Sequence, residues 1–369
     1  MKAVRIHYYA DEASKRRLIC ELAGTFLNDR FQGLKWYLKR DWRYGPHIEI
    51  NIVDSKKAEA EEFIKEIKTA ALSFIENNPS NEKRPTEEVL RQLNALENED
   101  GPESGFLPIE ENGSVVVSEK ALVKGKYFSS DEEYIYYITN NCDVSKIMVK
   151  TIVKMQELTE KEQYLLLVAL FARLAKQYPN GGLIKGCVSF KSHIIGFLSY
   201  QDERTAGIKA NFERRYELIK EQLYDLYDYD FNIEDQEELL KEWEGFFEKF
   251  ISGINYTAEK GEAYRAAAGF DKESQKRLIN YSEFHNKWVN RQEFADFFYS
   301  EEFYKYRLLV NFFYLTLPCM GFGPSGKHFC CYMITRLVEE KTGILLIDQI
   351  KESENKVIQE DGEENVFHL

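Results

Sequence analysis

Tyr314 stands in the most apolar helical stretch of the sequence, Phe294 to Leu317. A phenol in apolar surroundings keeps its proton at neutral pH and can deliver it inside a dry site. The same setting also fits an ordinary core tyrosine with a satisfied hydroxyl, and the residues alone leave both readings open. Helical spacing sets Arg307 two turns earlier on the same face, where it would hold a carbonyl or a carboxylate. His193 supplies an imidazole, the side chain that changes charge near neutrality; a hydrogen-bonded structural histidine is its other reading. Ser192 beside it is no nucleophile for that base, because adjacent residues on a helix point apart. Trp42, Arg43 and His47 gather around Gly45-Pro46, either as a binding group or as a solvated turn that closes two strands.

Other chemistries fit poorly. Gly321 to His328, GFGPSGKH, approaches a phosphate loop, but its last position is His where a metal-reaching Ser or Thr belongs. Pro324 removes a backbone donor from it, and the preceding run is helical rather than a strand. A helix-to-helix turn is the better reading. His328, Cys330 and Cys331 do not make a metal site, since adjacent cysteines seldom face one tetrahedral ion and no second ligand pair has fitting spacing. No Gly-x-Ser-x-Gly elbow occurs.

The elements that would carry these residues follow from pattern. Val4 to Tyr9 reads as a strand, and a helix follows from about Ser14, capped by Asp11, with Leu18, Leu22 and Phe26 on one face. Leu34 to Arg40 and His47 to Val53 alternate as two strands of a hairpin. Gly45 can take a positive φ, and Pro46 pushes it out of the helical region. A second helix runs from Asp54-Ser55 to about Glu76, with Phe63, Ile67, Ala71 and Phe74 as its stripe. This predicts an α+β layer with helices on one face. Residues 1–76 form that layer and residues 77–114, rich in Asn, Glu, Pro and Gly, read as a linker or insertion. Residues 115–369 resume with short strands at Val115 to Val117 and Lys126 to Phe128, then become mainly helical from Asp143. Thr159 with Glu162 makes a capping box. Later helices are expected at Ser189 to Leu198, Arg204 to Tyr229, Glu234 to Phe250, Asp271 to Trp288 and from Pro324 to Thr342-Gly343. An edge strand at Ile344 to Ile347 and an acidic tail close the chain.

The 369 residues suffice for two or three packed layers. A net charge of −13 disfavours nucleic acid, which needs Lys and Arg on one face. Aromatic residues make up 14%, enough for an aromatic core or for a groove holding a peptide. The six cysteines are scattered without a Cys-x-x-Cys, no signal peptide opens the chain, and no apolar run is long enough for a bilayer. A reducing cytoplasm is the expected location.

Three stretches together carry a resemblance: the aromatic-Arg turn with Gly45-Pro46-His47 and its following strand, Ser189-Phe190-Lys191-Ser192-His193, and Leu309 to Leu317 with the Gly-Pro break after it. In this order they resemble the thiopeptide-type bacteriocin biosynthesis family, which includes the C-terminal domain of lantibiotic dehydratases. Members that eliminate glutamate carry Arg at alternating positions after Pro-His; here those positions are Glu49 and Asn51, and Glu49 would repel a glutamyl carboxylate. Their C-terminal pattern, a His near the place of Tyr314 and an Asn-Arg pair soon after, is missing too: this chain has Leu317-Pro318-Cys319 there. Asn311-Phe312-Phe313-Tyr314 is more similar to the stand-alone pyridine synthases.

That resemblance implies a formal [4+2] aza-cycloaddition of two dehydroalanines in a leader-bearing peptide, with loss of water and of the leader as an amide, and with no metal or redox cofactor. It implies Tyr314 and His193 as acid-base groups, Lys191 and Arg307 polarising amide carbonyls, and Ser192 and Asn311 positioning the backbone. Trp42, Arg43 and His47, or the aromatic-acidic cluster with Tyr224 and Tyr227, would grip the leader. The partners expected are the precursor peptide and dehydratases or cyclodehydratases of the same pathway, with no nucleic acid or membrane, in a monomer or homodimer. A glutamate-elimination subunit and a non-catalytic peptide-binding partner are the alternatives.

Overall fold

The computed structural model describes residues 1–42, 44–80, 108–120, 130–198, 203–257, 260 and 300–346. The chain divides into two units, Met1–Thr159 with Phe312–Gly323, and Glu160–Asn311 with Pro324–Leu369.

The first unit contains an α+β layer. Its strands β1 (Lys2–His7), β2 (Trp36–Asp41), β3 (His47–Ile52) and β4 (Ser114–Glu119) form an antiparallel sheet in the order β2-β3-β1-β4. Helices α1 (Glu12–Phe26) and α2 (Ala58–Asn77) complete a β-α-β-β-α-β chain of the ferredoxin-like type. Asp11 caps α1 by accepting the Ser14 N–H at 2.6 Å, as its position before the apolar stripe predicts. The Val115 to Val117 strand resumes the sheet beside β1 as expected; Lys126 to Phe128 lies outside the described residues.

Period-2 alternation gives this sheet two unlike faces. Val4, Ile6, Trp36, Leu38, Ile48, Ile50 and Ile52 are all buried on one. There Phe26 of α1 stacks on Trp36 at 4.6 Å, and Phe63 of α2 meets Trp36 at 5.8 Å. The other face carries Arg5, His7, Lys39, Asp41, His47, Glu49 and Asn51, aligned by the strand register. Helix α3 (Asp131–Gln156) packs against α1 and β2. Its Ser145 hydroxyl accepts the Leu38 N–H at 2.9 Å, which satisfies a donor on the outer edge of β2. The helix starts twelve residues before the Asp143 read from pattern, because Ser130 caps it through the Glu133 N–H at 3.2 Å.

The second unit is helical. Helix α4 (Glu160–Lys176) is buried at nearly every position from Gln163 to Ala175. Around it pack α5 (Gly182–Leu198), α6 (Glu203–Asp228), α7 (Glu237–Ser252) and α9 (Pro324–Thr342). Helix α5 approaches α4 so closely that a Cβ on Gly186 would fall 2.2 Å from the Ala175 carbonyl oxygen. Helix α8 (Glu301–Thr316) begins in this unit and ends in the first. In the second unit its Tyr306 donates to the Gly186 carbonyl at 3.0 Å. In the first its Phe312 meets Tyr137 at 5.6 Å, and the turn after it brings the Met320 carbonyl to Arg16.

One expected element is not formed. Residues Ile344 to Leu346 are not a strand. Gly343 leaves α9 at φ +68, and the Leu346 N–H donates to Glu339 at 3.1 Å, so the chain folds back on its own helix. Most of the expected insertion and the whole Asp271 to Trp288 helix lie outside the described residues.

Candidate functional site

A group of buried, mutually paired ionisable side chains sits on the polar face of the sheet. Strand β3 reads His-Ile-Glu-Ile-Asn-Ile, and all six residues are buried although every second one is polar. A solvated sheet face would leave those three exposed. Glu49, only 5% exposed, accepts from Lys120 at 2.6 Å and from the Asn51 amide at 2.9 Å, with Lys39 Nζ at 3.4 Å. Lys120 also donates to the Asn51 side-chain oxygen Oδ1 at 3.3 Å, and Lys39 pairs with Asp41.

His47 Nδ1 lies 2.8 Å from the Gly45 carbonyl oxygen. A carbonyl only accepts, so Nδ1 carries the proton and Nε2 is turned toward Glu49, 3.6 Å away. His7, wholly buried on β1, sets its ring 4.7 Å from that of His47. The hairpin tip contributes Tyr44, at φ 61, whose ring lies 4.5 Å from the Arg5 guanidinium.

Electrostatics on this face are strongly coupled. Burial pushes the Glu49 pKa up, but the His47 imidazole and the Lys39 and Lys120 ammonium groups outweigh it and hold the carboxyl well below the usual carboxylate range. Lys39 is raised against its own burial by Asp41 and Glu49. Lys120 is lowered, since burial and the Lys39 charge exceed the pull of Glu49. Burial, then His47 and Arg5, bring His7 down to about 3, so it is neutral at pH 7. Three cations, Arg5, Lys39 and Lys120, thus share the face with two carboxylates, Asp41 and Glu49. The repulsion of an incoming carboxylate, read from Glu49 in isolation, is therefore offset by lysines that the sequence did not place beside it.

The nominated residues distribute over both units. His47 belongs to the polar face; Trp42, next to it in the hairpin, is 48% exposed, and Arg43 lies outside the described residues. Tyr314 is half-buried in the first-unit part of α8. Arg307 and Asn311 are half-buried in its second-unit part, and the three follow one another at helical spacing. Arg307 lies 5.9 Å from the Phe303 ring. Lys191, Ser192 and His193 are half-buried on α5 in the second unit, with Lys191 Nζ held 2.7 Å from Glu339. Tyr314 and His193 therefore belong to different units.

Tyr224 and Tyr227 flank the Lys341 ammonium at 4.7 and 5.6 Å, and the Tyr224 hydroxyl donates to Glu340 at 2.8 Å. The acidic residues around them are committed as well. Asp228 pairs with Lys341 and Asp230 with Lys176, each at 2.6 Å. The loop-like GFGPSGKH stretch is a turn into α9, as its composition predicts. His328 there stacks on Phe197 at 3.9 Å and is lowered to about 4, chiefly by burial and then by Lys327. No cluster of metal-binding side chains occurs, and no helix is long and apolar enough to cross a membrane, among the described residues.

His7, Lys39 and Lys120 escaped nomination from sequence. The available signal was the alternation itself: Arg5-x-His7, Lys39-x-Asp41 and His47-x-Glu49-x-Asn51 put seven polar residues on one side of three paired strands.

The sequence matches no protein-family model, and no curated protein matches it. Among solved structures the chain is similar to the pyridine synthase TbtD from thiomuracin biosynthesis, with TM-score 0.58 and 16% identity, over 93% of this chain and 98% of that one. It is also similar to TsrL, with TM-score 0.57 and 15% identity, over 95% and 97% of the two chains. The fold is pyridine-synthase-like.

Proposed function

We propose that this chain is a thiopeptide-type maturation enzyme that closes a pyridine from two dehydroalanines of a leader-bearing peptide. The observation that supports it best is the likeness to TbtD over nearly the whole of both chains. In this reading one backbone amide tautomerises to an aza-diene, which adds across the second alkene. Water then leaves, and the leader departs as an amide, giving the aromatic ring. The sequence is redox-neutral, so it calls for no electron carrier.

The enzyme's part is orientation, which is worth roughly 7–11 kcal/mol for a well-placed pair of reactants. Proton donors and acceptors add about 10²–10⁴-fold each. Tyr314 and His193 take the acid-base roles. Lys191 and Arg307 polarise amide carbonyls, Lys191 with its ammonium already oriented by Glu339. Ser192 and Asn311 position the backbone.

The test is incubation of the purified chain with a leader-linked, bis-dehydroalanine peptide, followed by mass analysis. Loss of one water together with release of an intact leader amide is the expected result. Binding without any mass change would make the chain a non-catalytic peptide-presenting partner. Lys39 and Lys120, which offset Glu49, keep a second reading open to trial. A glutamylated peptide that loses glutamate would identify an elimination subunit.

A further inference from the structure

The polar face of the sheet holds more hydrogen-bonding capacity than it uses. Both ring nitrogens of His7 and Nε of Arg5 are buried without a hydrogen-bond partner among the described residues, and Nε2 of His47 has only Glu49, 3.6 Å away. The two imidazoles are neighbours at 4.7 Å, and Arg5 stands two residues before His7 on the same side of β1, opposite Glu49 in register. Such groups are costly to leave unsatisfied, and native interiors keep few of them. Their concentration in one patch marks a place built for a polar guest.

The chemistry of the guest follows from what is unfilled. Neutral imidazole offers one N–H and one lone pair, and guanidinium offers donors only. A carboxylate would satisfy the donors but leave the lone pair facing an acceptor, and it would meet Glu49. A secondary amide supplies both a carbonyl acceptor and an N–H donor. We propose that this face binds a backbone amide of the peptide substrate, with Arg5 at the carbonyl oxygen and His7 accepting the N–H. The proposal rests on the peptide-modifying reading given above and adds a binding subsite to it. An imidazole as weakly basic as His7 accepts a hydrogen bond from an amide without removing its proton, so His7 is a binding residue here and not a base.

Two measurements on the full chain test this. In the first, histidine imidazoles are labelled with nitrogen-15 and the His7 signals are assigned by their absence from His7→Leu. N-methylacetamide should shift those signals, and sodium acetate at equal concentration should not. Equal responses to both, or no response to either, overturn the proposal. In the second, affinity for a leader-linked bis-dehydroalanine peptide is compared between wild type and His7→Leu, alongside thermal stability. The variant removes an unsatisfied buried polar group, so it should be as stable as wild type or more so, yet bind about tenfold more weakly, the effect of one hydrogen bond. Methylating peptide amides one at a time should find one position where wild type loses about tenfold and His7→Leu loses nothing further. Unchanged affinity with an unchanged methylation profile would mean that buried water serves these nitrogens, and a wild type that binds no peptide overturns the proposal as well. Peptide bound in this manner without pyridine formation would retain the subsite and reject the proposed reaction.

Discussion

Lys120 and Glu49 lie 71 residues apart in sequence, and their side chains meet at 2.6 Å on a sheet face that faces away from α1 and α2. Removing the carboxylate leaves Lys120 partly buried without its counter-charge and Lys39 with Asp41 alone. Glu49→Gln should destabilise the chain by about 3–5 kcal/mol, the range for breaking a buried pair, as read by urea denaturation at pH 7. Because the native pKa of Glu49 is depressed, its contribution is complete above the ordinary value of 4.5 and is lost as pH falls below that. Glu49→Gln should therefore approach wild type in stability as the pH is lowered through the acid range.

His7 and His328 give a pH dependence in a higher window. Both have native pKa values below the ordinary 6.5, at about 3 and about 4. Between those values and 6.5 the unfolded chain binds protons that the native chain refuses, so stability falls as pH drops below 6.5. Each histidine can add up to one proton, or about 1.4 kcal/mol per pH unit, to that slope. His328→Gln should remove up to one proton's worth between pH 6 and 4; an unchanged slope would show that His328 titrates normally.

Gly186 marks a close backbone approach in the helical unit. Gly186→Ala must push α5 off α4, since the added carbon would sit 2.2 Å from a backbone oxygen that cannot swing away. A loss of about 1–3 kcal/mol or more is expected in thermal or chemical denaturation. Tyr306→Phe, which deletes only the hydroxyl bound to the Gly186 carbonyl, should cost about 1 kcal/mol.

The proposed acid-base role of Tyr314 predicts a kinetic signature. Tyr314→Phe keeps the ring and removes the proton. Its kcat for pyridine formation should fall about 100-fold with little change in KM. A fall in KM-dependent binding with kcat intact would assign Tyr314 to substrate contact only.

Leader binding by the end of α6 can be separated from internal pairing. Asp228 and Asp230 already hold Lys341 and Lys176, so reversing either charge should cost about 1 kcal/mol or less of stability, as exposed pairs do. Asp225 makes no ion pair among the described residues, which makes Asp225→Lys the cleaner probe. Fluorescence anisotropy with a labelled leader peptide should show weakening of a few-fold, greater at low salt. Unchanged affinity in all three variants would remove this helix end from leader recognition.

Much of the architecture was legible because its signals are local. The Asp11 cap, the two alternating strands around Gly45-Pro46 and the Phe63-Ile67-Ala71 stripe each predict their element from a few neighbouring residues, and each element is present. The start of α3 was missed because its first turns, Asp131 to Asn141, are rich in Tyr and Asn, whose helix propensity is poor; the Ser130 cap and burial of Ile138 and Cys142 override it. The Ile344 strand was a false reading of a short apolar run that instead returns to α9. The candidate site was harder. Glu49 looks like a lone negative charge in sequence, and only strand pairing brings Lys39 beside it while β4 delivers Lys120 from far along the chain. Long-range partners of this kind leave no local trace.

The first unit needs residues 312–323, where Phe312 packs on Tyr137 and Met320 meets Arg16. During synthesis those residues leave the ribosome only after positions 160–311 have emerged. The N-terminal layer must therefore wait, incompletely packed, while the helical unit is being made. No single cut separates the two units either: a fragment ending at Thr159 lacks a piece of its own interior, and a fragment beginning at Glu160 carries that piece with nothing to receive it. Deletion studies on this chain accordingly call for a spliced design that returns residues 312–323 to the N-terminal fragment.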